Sequence, residues 1–187
     1  MASVLVYYGT GEGQTAKVAG RVVDALSDRG HDARAVDAAD GIGDRGLDDF
    51  DAVVVGASVH AGRHQSAVRK FVGANREALA AKPTAFFQVS LSSATEAGRE
   101  QAAGYVEAFL DATGWHPDRI ATFGGALRFS EYGFLKRLLI QQIARREFPD
   151  ADRSRDVEFT DWQAVADFAN DVAAFVEARL GVDPPAP

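Results

Sequence analysis

The sequence predicts a three-layer α/β fold: a doubly wound, five-stranded parallel sheet of order 2-1-3-4-5, with a long insert before the last helix. Three observations carry this. Short β-type runs alternate with amphipathic helical stretches through the chain, the pattern of successive βα units. Two inner runs, Val53-Val54-Val55 and Phe86-Phe87, are continuously apolar, as strands covered on both faces require. A glycine-rich turn follows the first run and opens a helix, and right-handed crossovers then leave few topologies.

Ser3–Tyr8 is the first strand. Gln14–Arg29 is a helix, because Val18, Val22, Ala25 and Leu26 share one face, and Gly30 stops it. Asp32–Asp37 is a weaker second strand and Asp51–Ser58 the third. Val68, Phe71, Val72 and Leu79 make Ser66–Ala80 helical. Pro83–Leu91 is the fourth strand, Ala97–Thr113 a helix and Asp118–Leu127 the fifth strand. Thr160-Asp161-Trp162-Gln163 reads as a capping box, Thr160 being the cap, that starts the last helix over Asp161–Leu180. Residues 128–159 form an insert too long for an ordinary connection. A single domain spans 1–181, and the Pro-rich tail at 182–187 frays.

Composition narrows the function. The 187 residues are 47% hydrophobic and 25% charged, ordinary globular usage. With no cysteine, disulfides, zinc thiolates, iron–sulfur clusters and thiol nucleophiles are excluded. No apolar run is long enough to span a membrane, and Met1-Ala2-Ser3 leads straight into Val4. The expected location is therefore cytoplasmic. A net charge of −7 argues against nucleic-acid binding, which rests on phosphate neutralisation. The balance is uneven: Arg128 to Arg155 holds seven basic and four acidic residues.

Gly9-Thr10-Gly11-Glu12-Gly13-Gln14-Thr15 feeds a helix N-terminus, where outward amides and the helix dipole favour an anion. Position 14 is Gln, so the dinucleotide fingerprint beginning at Gly9 fails. No Gly-Lys-Ser/Thr is present, so the P-loop fails as well. A tight turn without a ligand is the alternative. Against it, strand three ends in Gly56-Ala57-Ser58-Val59-His60-Ala61-Gly62 and strand four in Ser90-Leu91-Ser92-Ser93. In a 2-1-3-4-5 sheet these three loops meet at the switch point, where ligands bind.

The Thr10-to-Thr15 loop resembles the phosphate signature of the flavodoxins, Ser/Thr-x-x-Gly-Asn/Gln-Thr. The resemblance implies a flavodoxin-like fold and an FMN site. Phosphate would lie on Thr10, Gly11, Glu12, Gly13, Gln14 and Thr15, mainly through amides and the two hydroxyls. The ring would lie between Ser58, Val59, His60, Ala61 and Gly62 on one side and Val89, Ser90, Leu91 and Ser92 on the other. Gly56-Ala57-Ser58, Gly114-Trp115-His116-Pro117-Asp118-Arg119, Gly124-Gly125-Ala126-Leu127-Arg128 and Thr160-Asp161-Trp162 resemble the flavodoxin-type, menaquinone-dependent protoporphyrinogen oxidases. That likeness covers nearly the whole chain. It implies a porphyrinogen substrate and a quinone acceptor; a flavodoxin-type carrier between redox protein partners is the alternative.

Electron-carrier flavodoxins stack aromatic side chains on the flavin, whereas these loops offer His60 and Leu91. His60, Arg63 and His64 place positive charge beside the ring, which predicts a higher potential than a carrier's. Solvated histidines and a salt-bridged Arg63 are the alternative. His60 and His64 flank Gly62 in a loop without further ligands, so no metal is expected. His31 is expected at the surface and His116 in a turn, and no residue is singled out as catalytic. Within the insert, 132–148 reads as a helix carrying Phe134, Leu135, Leu138, Leu139 and Ile143 beside Lys136 and Arg137. Such a face suits peripheral contact with the inner face of the membrane or with a greasy substrate; packing on the domain or at a dimer interface is the alternative.

Overall fold

The computed structural model describes residues 1–43, 45–128, 148 and 155–182. The strands are β1 (Ser3–Gly9), β2 (Asp32–Asp37), β3 (Ala52–His60), β4 (Arg63–His64), β5 (Thr84–Ser90), β6 (Arg119–Gly124), β7 (Ala126–Leu127) and β8 (Val157–Glu158). The helices are α1 (Gln14–Asp28), α2 (Ser66–Ala74), α3 (Arg76–Ala80), α4 (Arg99–Thr113) and α5 (Trp162–Leu180). The main sheet runs β2-β1-β3-β5-β6, all parallel along that path, and the two-residue β4 folds back antiparallel on β3. Setting β4 aside, this is the expected order.

Strand periodicity sorts the core into two layers. Val4, Val6, Val54 and Phe87 pack with Val18, Val22 and Leu26 of α1 and Val165, Val172 and Val176 of α5. Their neighbours Leu5, Val53, Val55 and Phe86 point the other way, onto Val68 and Val72 of α2, Leu79 of α3 and Val106 and Phe109 of α4. Alternate side chains of one strand serve opposite faces, so the apolar runs have no solvent side to mark with polar residues. At Gly56 a side chain would collide with the Phe87 ring, so the ring lies directly over the neighbouring strand.

Four expectations are corrected. The helix over 66–80 breaks at Asn75, whose side-chain amide donates to the Phe71 carbonyl at 2.8 Å. That bond competes with the helical ladder. The fifth strand leaves the main sheet after Gly124. There the Phe159 carbonyl lies where a side chain would stand, and Phe159 N–H donates to the Gly125 carbonyl at 3.0 Å. Beyond this point β7 pairs antiparallel with β8, so a two-stranded ribbon brackets the insert. Thr160 does not cap the last helix. Asp161 does, its carboxylate accepting from Gln163 and Ala164 N–H at 3.0 and 3.1 Å.

His31 is not at the surface: it is 6% exposed. Ala2 N–H donates to its Nδ1 at 3.3 Å, so Nε2 carries the proton and donates to Glu177 at 3.2 Å. Arg29 donates to the same carboxylate at 2.6 and 3.0 Å. These bonds from Arg29, with His31 adding to them, hold the Glu177 carboxyl below its usual range despite burial. The segment 132–147 and the tail beyond Val182 lie outside the described residues. Among the described residues no helix is long and apolar enough to cross a membrane.

Candidate functional site: a cleft at the switch point of the sheet

The carboxyl ends of β1, β3 and β5 open into one cleft, at the switch point where open α/β sheets bind ligands. The first loop contributes Thr10, Gly11, Glu12, Gln14 and Thr15 to its lining. Ser58, Val59 and His60 come from β3, and Val89, Ser90 and Leu91 from β5 and the residue after it. Four expected residues do not line it. Gly13 sits behind the loop as the N-cap of α1, with φ +84°. Ala61 and Gly62 form the tip of the β3–β4 hairpin, both at positive φ, +48° and +76°, as a two-residue primed turn requires. Ser92 turns away and donates to the Gln101 side chain at 2.7 Å.

Gly125 and Ala126 complete the wall, and sequence reasoning missed them. Gly125 N–H donates to the Ser90 carbonyl at 3.0 Å. A side chain on Gly125 would start 3.4 Å from the Ser90 backbone. The adjacent pair Gly124-Gly125 at the carboxyl end of a strand was the available signal.

The loop is prepared for an anion. The first helical bond of α1 runs from Lys17 N–H to the Gly13 carbonyl. The preceding amides of the first turn therefore stand outside the helical ladder. No side chain caps them, and that turn holds no acidic residue. Thr10 Oγ1 accepts from Gly13 N–H at 2.9 Å and closes the turn. Thr15 Oγ1 and Ser58 Oγ are buried without a hydrogen-bond partner, a costly state for a hydroxyl unless a ligand satisfies it. Among the described residues no Lys or Arg lines the cleft. Amides and hydroxyls are therefore the groups that would hold a phosphate, and two orphaned hydroxyls beside an uncapped helix start fit FMN.

A chain of bonds braces the loop from behind. Arg128 donates to Gln14 Oε1 at 3.3 Å, Gln14 Nε2 to Thr160 Oγ1 at 2.8 Å, and Thr160 Oγ1 to the Gly124 carbonyl at 2.7 Å. Gln14 thus commits its side chain to the ribbon and leaves its backbone amide for a ligand. Lys17 pairs with Glu158 at 2.7 Å, and Trp162 Nε1–H donates to the same carboxylate at 2.8 Å. Both ends of the insert are tied in this way to the start of α1.

The expected cluster of three cations is corrected. His64 lies on the α2/α4 face of the sheet, edge-on to Phe109 at 4.8 Å and to Phe86 at 5.7 Å. Burial pushes its pKa down to about 4, with the neighbouring Gln88 carboxamide opposing the shift, so it is neutral at pH 7. His60 and Arg63, paired across the hairpin, stay on the exposed side.

Comparison with known proteins agrees with this site. A family model described as a flavodoxin domain matches residues 5–154. Protoporphyrinogen IX dehydrogenase [quinone] of Escherichia coli K12 is 32% identical over 170 residues, covering 90% of this chain and 93% of that protein. The protein of the same name from Leishmania major is 33% identical over 173 residues, covering 91% and 74%. Two solved structures share the fold at low identity. A short-chain flavodoxin associated with a non-canonical PDU bacterial microcompartment has a TM-score of 0.56 at 13% identity, covering 98% and 100%. An archaeal flavodoxin has a TM-score of 0.51 at 17%, covering 94% and 99%. With the match running through the phosphate loop, the sheet and most of the insert, this chain belongs to the flavodoxin family.

Proposed function

We propose that this chain is an FMN-dependent oxidoreductase that oxidises protoporphyrinogen IX and passes the electrons to a quinone. The observation that carries the reading beyond a carrier is the lining of the cleft. Among the described residues no Phe, Tyr or Trp lines it, and Val59, Val89, Leu91 and Ala126 make its apolar part. A carrier covers its flavin with stacked rings; here that space is left for a flat apolar substrate. The near full-length likeness to the Escherichia coli dehydrogenase supports the same conclusion.

In this reading the amides of Thr10–Thr15 and the hydroxyls of Thr10 and Thr15 hold the phosphate, and Ser58 donates to the ligand beside them. The hairpin at 58–62 and the turn at 89–92 position the ring. When bound, FMN supplies the relay that takes electrons in pairs from one substrate and gives them to the other. Among the described residues Glu12 and His60 are the acid–base side chains lining the cleft, and they stand within reach of protons released there. Peripheral contact through 132–148 would bring the cleft to a bilayer-dissolved quinone; the apolar and basic residues of that segment support it.

The test is an anaerobic assay of the FMN-loaded chain with protoporphyrinogen IX and a menaquinone analogue in anionic vesicles. Protoporphyrin fluorescence is followed, and the fraction of protein pelleting with the vesicles is measured. Porphyrin formation that requires the quinone is the expected result. A redox-active flavin with no porphyrin formed refutes the enzyme reading and leaves a carrier. Protein that stays in the supernatant refutes the membrane contact alone.

A further inference from the structure

Across the β3–β4 hairpin from the cleft lies a second, small cavity of about 70 Å³, between the hairpin, α2 and α4. Arg63, Arg69 and Tyr105 line it together with Gly62, His64 and Phe109, and among the described residues no carboxylate does. Neither guanidinium has a hydrogen bond or an ion pair among the described residues. Lys17, Arg29 and Arg119 all find carboxylates at 2.6 to 2.7 Å. Tyr105 leans on the hairpin tip, its ring and hydroxyl 3.8 to 3.9 Å from where a Gly62 side chain would start. The phenol is thus held beside the guanidinium groups.

Two arginines and a tyrosine lining one cavity, with no acidic residue among its described lining, suit a carboxylate, which accepts paired N–H bonds from Arg. We propose that this cavity is an anion subsite that takes a carboxylate of the oxidised substrate, an inference that rests on the function proposed above. Its position argues for the substrate. Arg63 pairs across the hairpin with His60, which lines the main cleft, and paired strands lie about 5 Å apart. A flat apolar body against the cleft could therefore pass a flexible propionate arm over the narrow Ala61-Gly62 tip. The hairpin separates oxidation on one side from recognition on the other. A free anion such as inorganic phosphate would satisfy the same groups, and the test separates the two sources.

The FMN-loaded full chain is titrated with protoporphyrin IX and with its dimethyl ester, by quenching of porphyrin fluorescence. The proteins are wild type, R63Q/R69Q and the control R21Q/R76Q; inorganic phosphate serves as competitor. The acid should bind wild type more tightly than the ester. R63Q/R69Q should weaken acid binding about tenfold or more, at about three- to tenfold per guanidinium. Ester binding and FMN affinity should stay unchanged, and the control should match wild type. Equal binding of acid and ester by wild type, or of the acid by wild type and R63Q/R69Q, overturns the subsite even in an active enzyme. Phosphate binding that depends on these arginines while acid and ester bind alike places a free anion there and overturns the substrate assignment. Turnover is read separately: its absence in wild type refutes the oxidoreductase reading, not the arginine dependence of binding.

Discussion

Replacing His64 by Leu should remove much of the acid sensitivity of this fold. The imidazole is packed against Phe86 and Phe109, and its Nε2 is buried without a partner. Burial lowers its pKa from 6.5 to about 4. A histidine depressed in the folded state is protonated first in the unfolded chain. This group's contribution is therefore complete above about pH 7.5, falls as pH drops through 6.5 toward 4, and changes little further below that. At about 1.4 kcal/mol per pKa unit, the whole shift is worth at most about 3–4 kcal/mol. Most of it, about 2.5 kcal/mol, is lost between about pH 7.5 and about pH 4.5. Carboxylates such as Glu177 titrate near the lower end, so the quantity to measure is the wild-type loss minus the H64L loss. Urea unfolding followed by circular dichroism at each pH supplies it. The Leu side chain keeps the site apolar and does not titrate, so the variant profile should be flatter by about 2 kcal/mol. Parallel profiles would refute the burial argument and mean that the imidazole reaches water before the chain unfolds.

Two further substitutions probe separate parts of the molecule. Thr15→Val removes a buried hydroxyl that has no protein partner, so the apoprotein should be no less stable, while FMN affinity should fall about tenfold or more. Flavin fluorescence titration and thermal melting of the apoprotein check both halves, and an unchanged affinity would remove Thr15 from the phosphate site. Glu177→Gln leaves Arg29 and His31 without their carboxylate, and should cost about 1–3 kcal/mol at neutral pH. Because the folded pKa of Glu177 is depressed, its stabilisation is present above the usual carboxyl range and lost as pH falls through the lowered value. The difference between wild type and E177Q in urea should accordingly shrink in acid; a gap that persists there would mean packing rather than charge.

The five-strand order, the two-sided core and the loop at 10–15 were legible because each is written locally. Val53-Val54-Val55 must be a strand covered on both sides, and a glycine-rich turn between a strand and a helix places free amides at a helix start wherever it occurs. The meeting of that loop with the two ring-side loops followed from topology, since any 2-1-3-4-5 sheet brings the carboxyl ends of its first and third strands to one crevice. The resemblance in Gly124-Gly125-Ala126-Leu127-Arg128 pointed to the right region. Its physical meaning, the close approach of Gly125 to the Ser90 backbone and a fourth wall for the cleft, required the strands to be in place.

What the chain determined by itself was its pattern: which runs form strands, which turns free their amides, which faces are apolar. What only the tertiary structure decided was the fate of polar side chains whose partners lie far along the chain. Gln14 and Thr160 are 146 positions apart, as are His31 and Glu177. A threonine with a start-signal sequence thus braces the phosphate loop instead of capping its own helix. His60 and His64 sit four positions apart in one hairpin, yet one lines an open cleft and the other is half-buried against aromatic rings and neutral. Side chains on a hairpin alternate between faces, and the chemistry of each histidine is set by what the fold packs against its face.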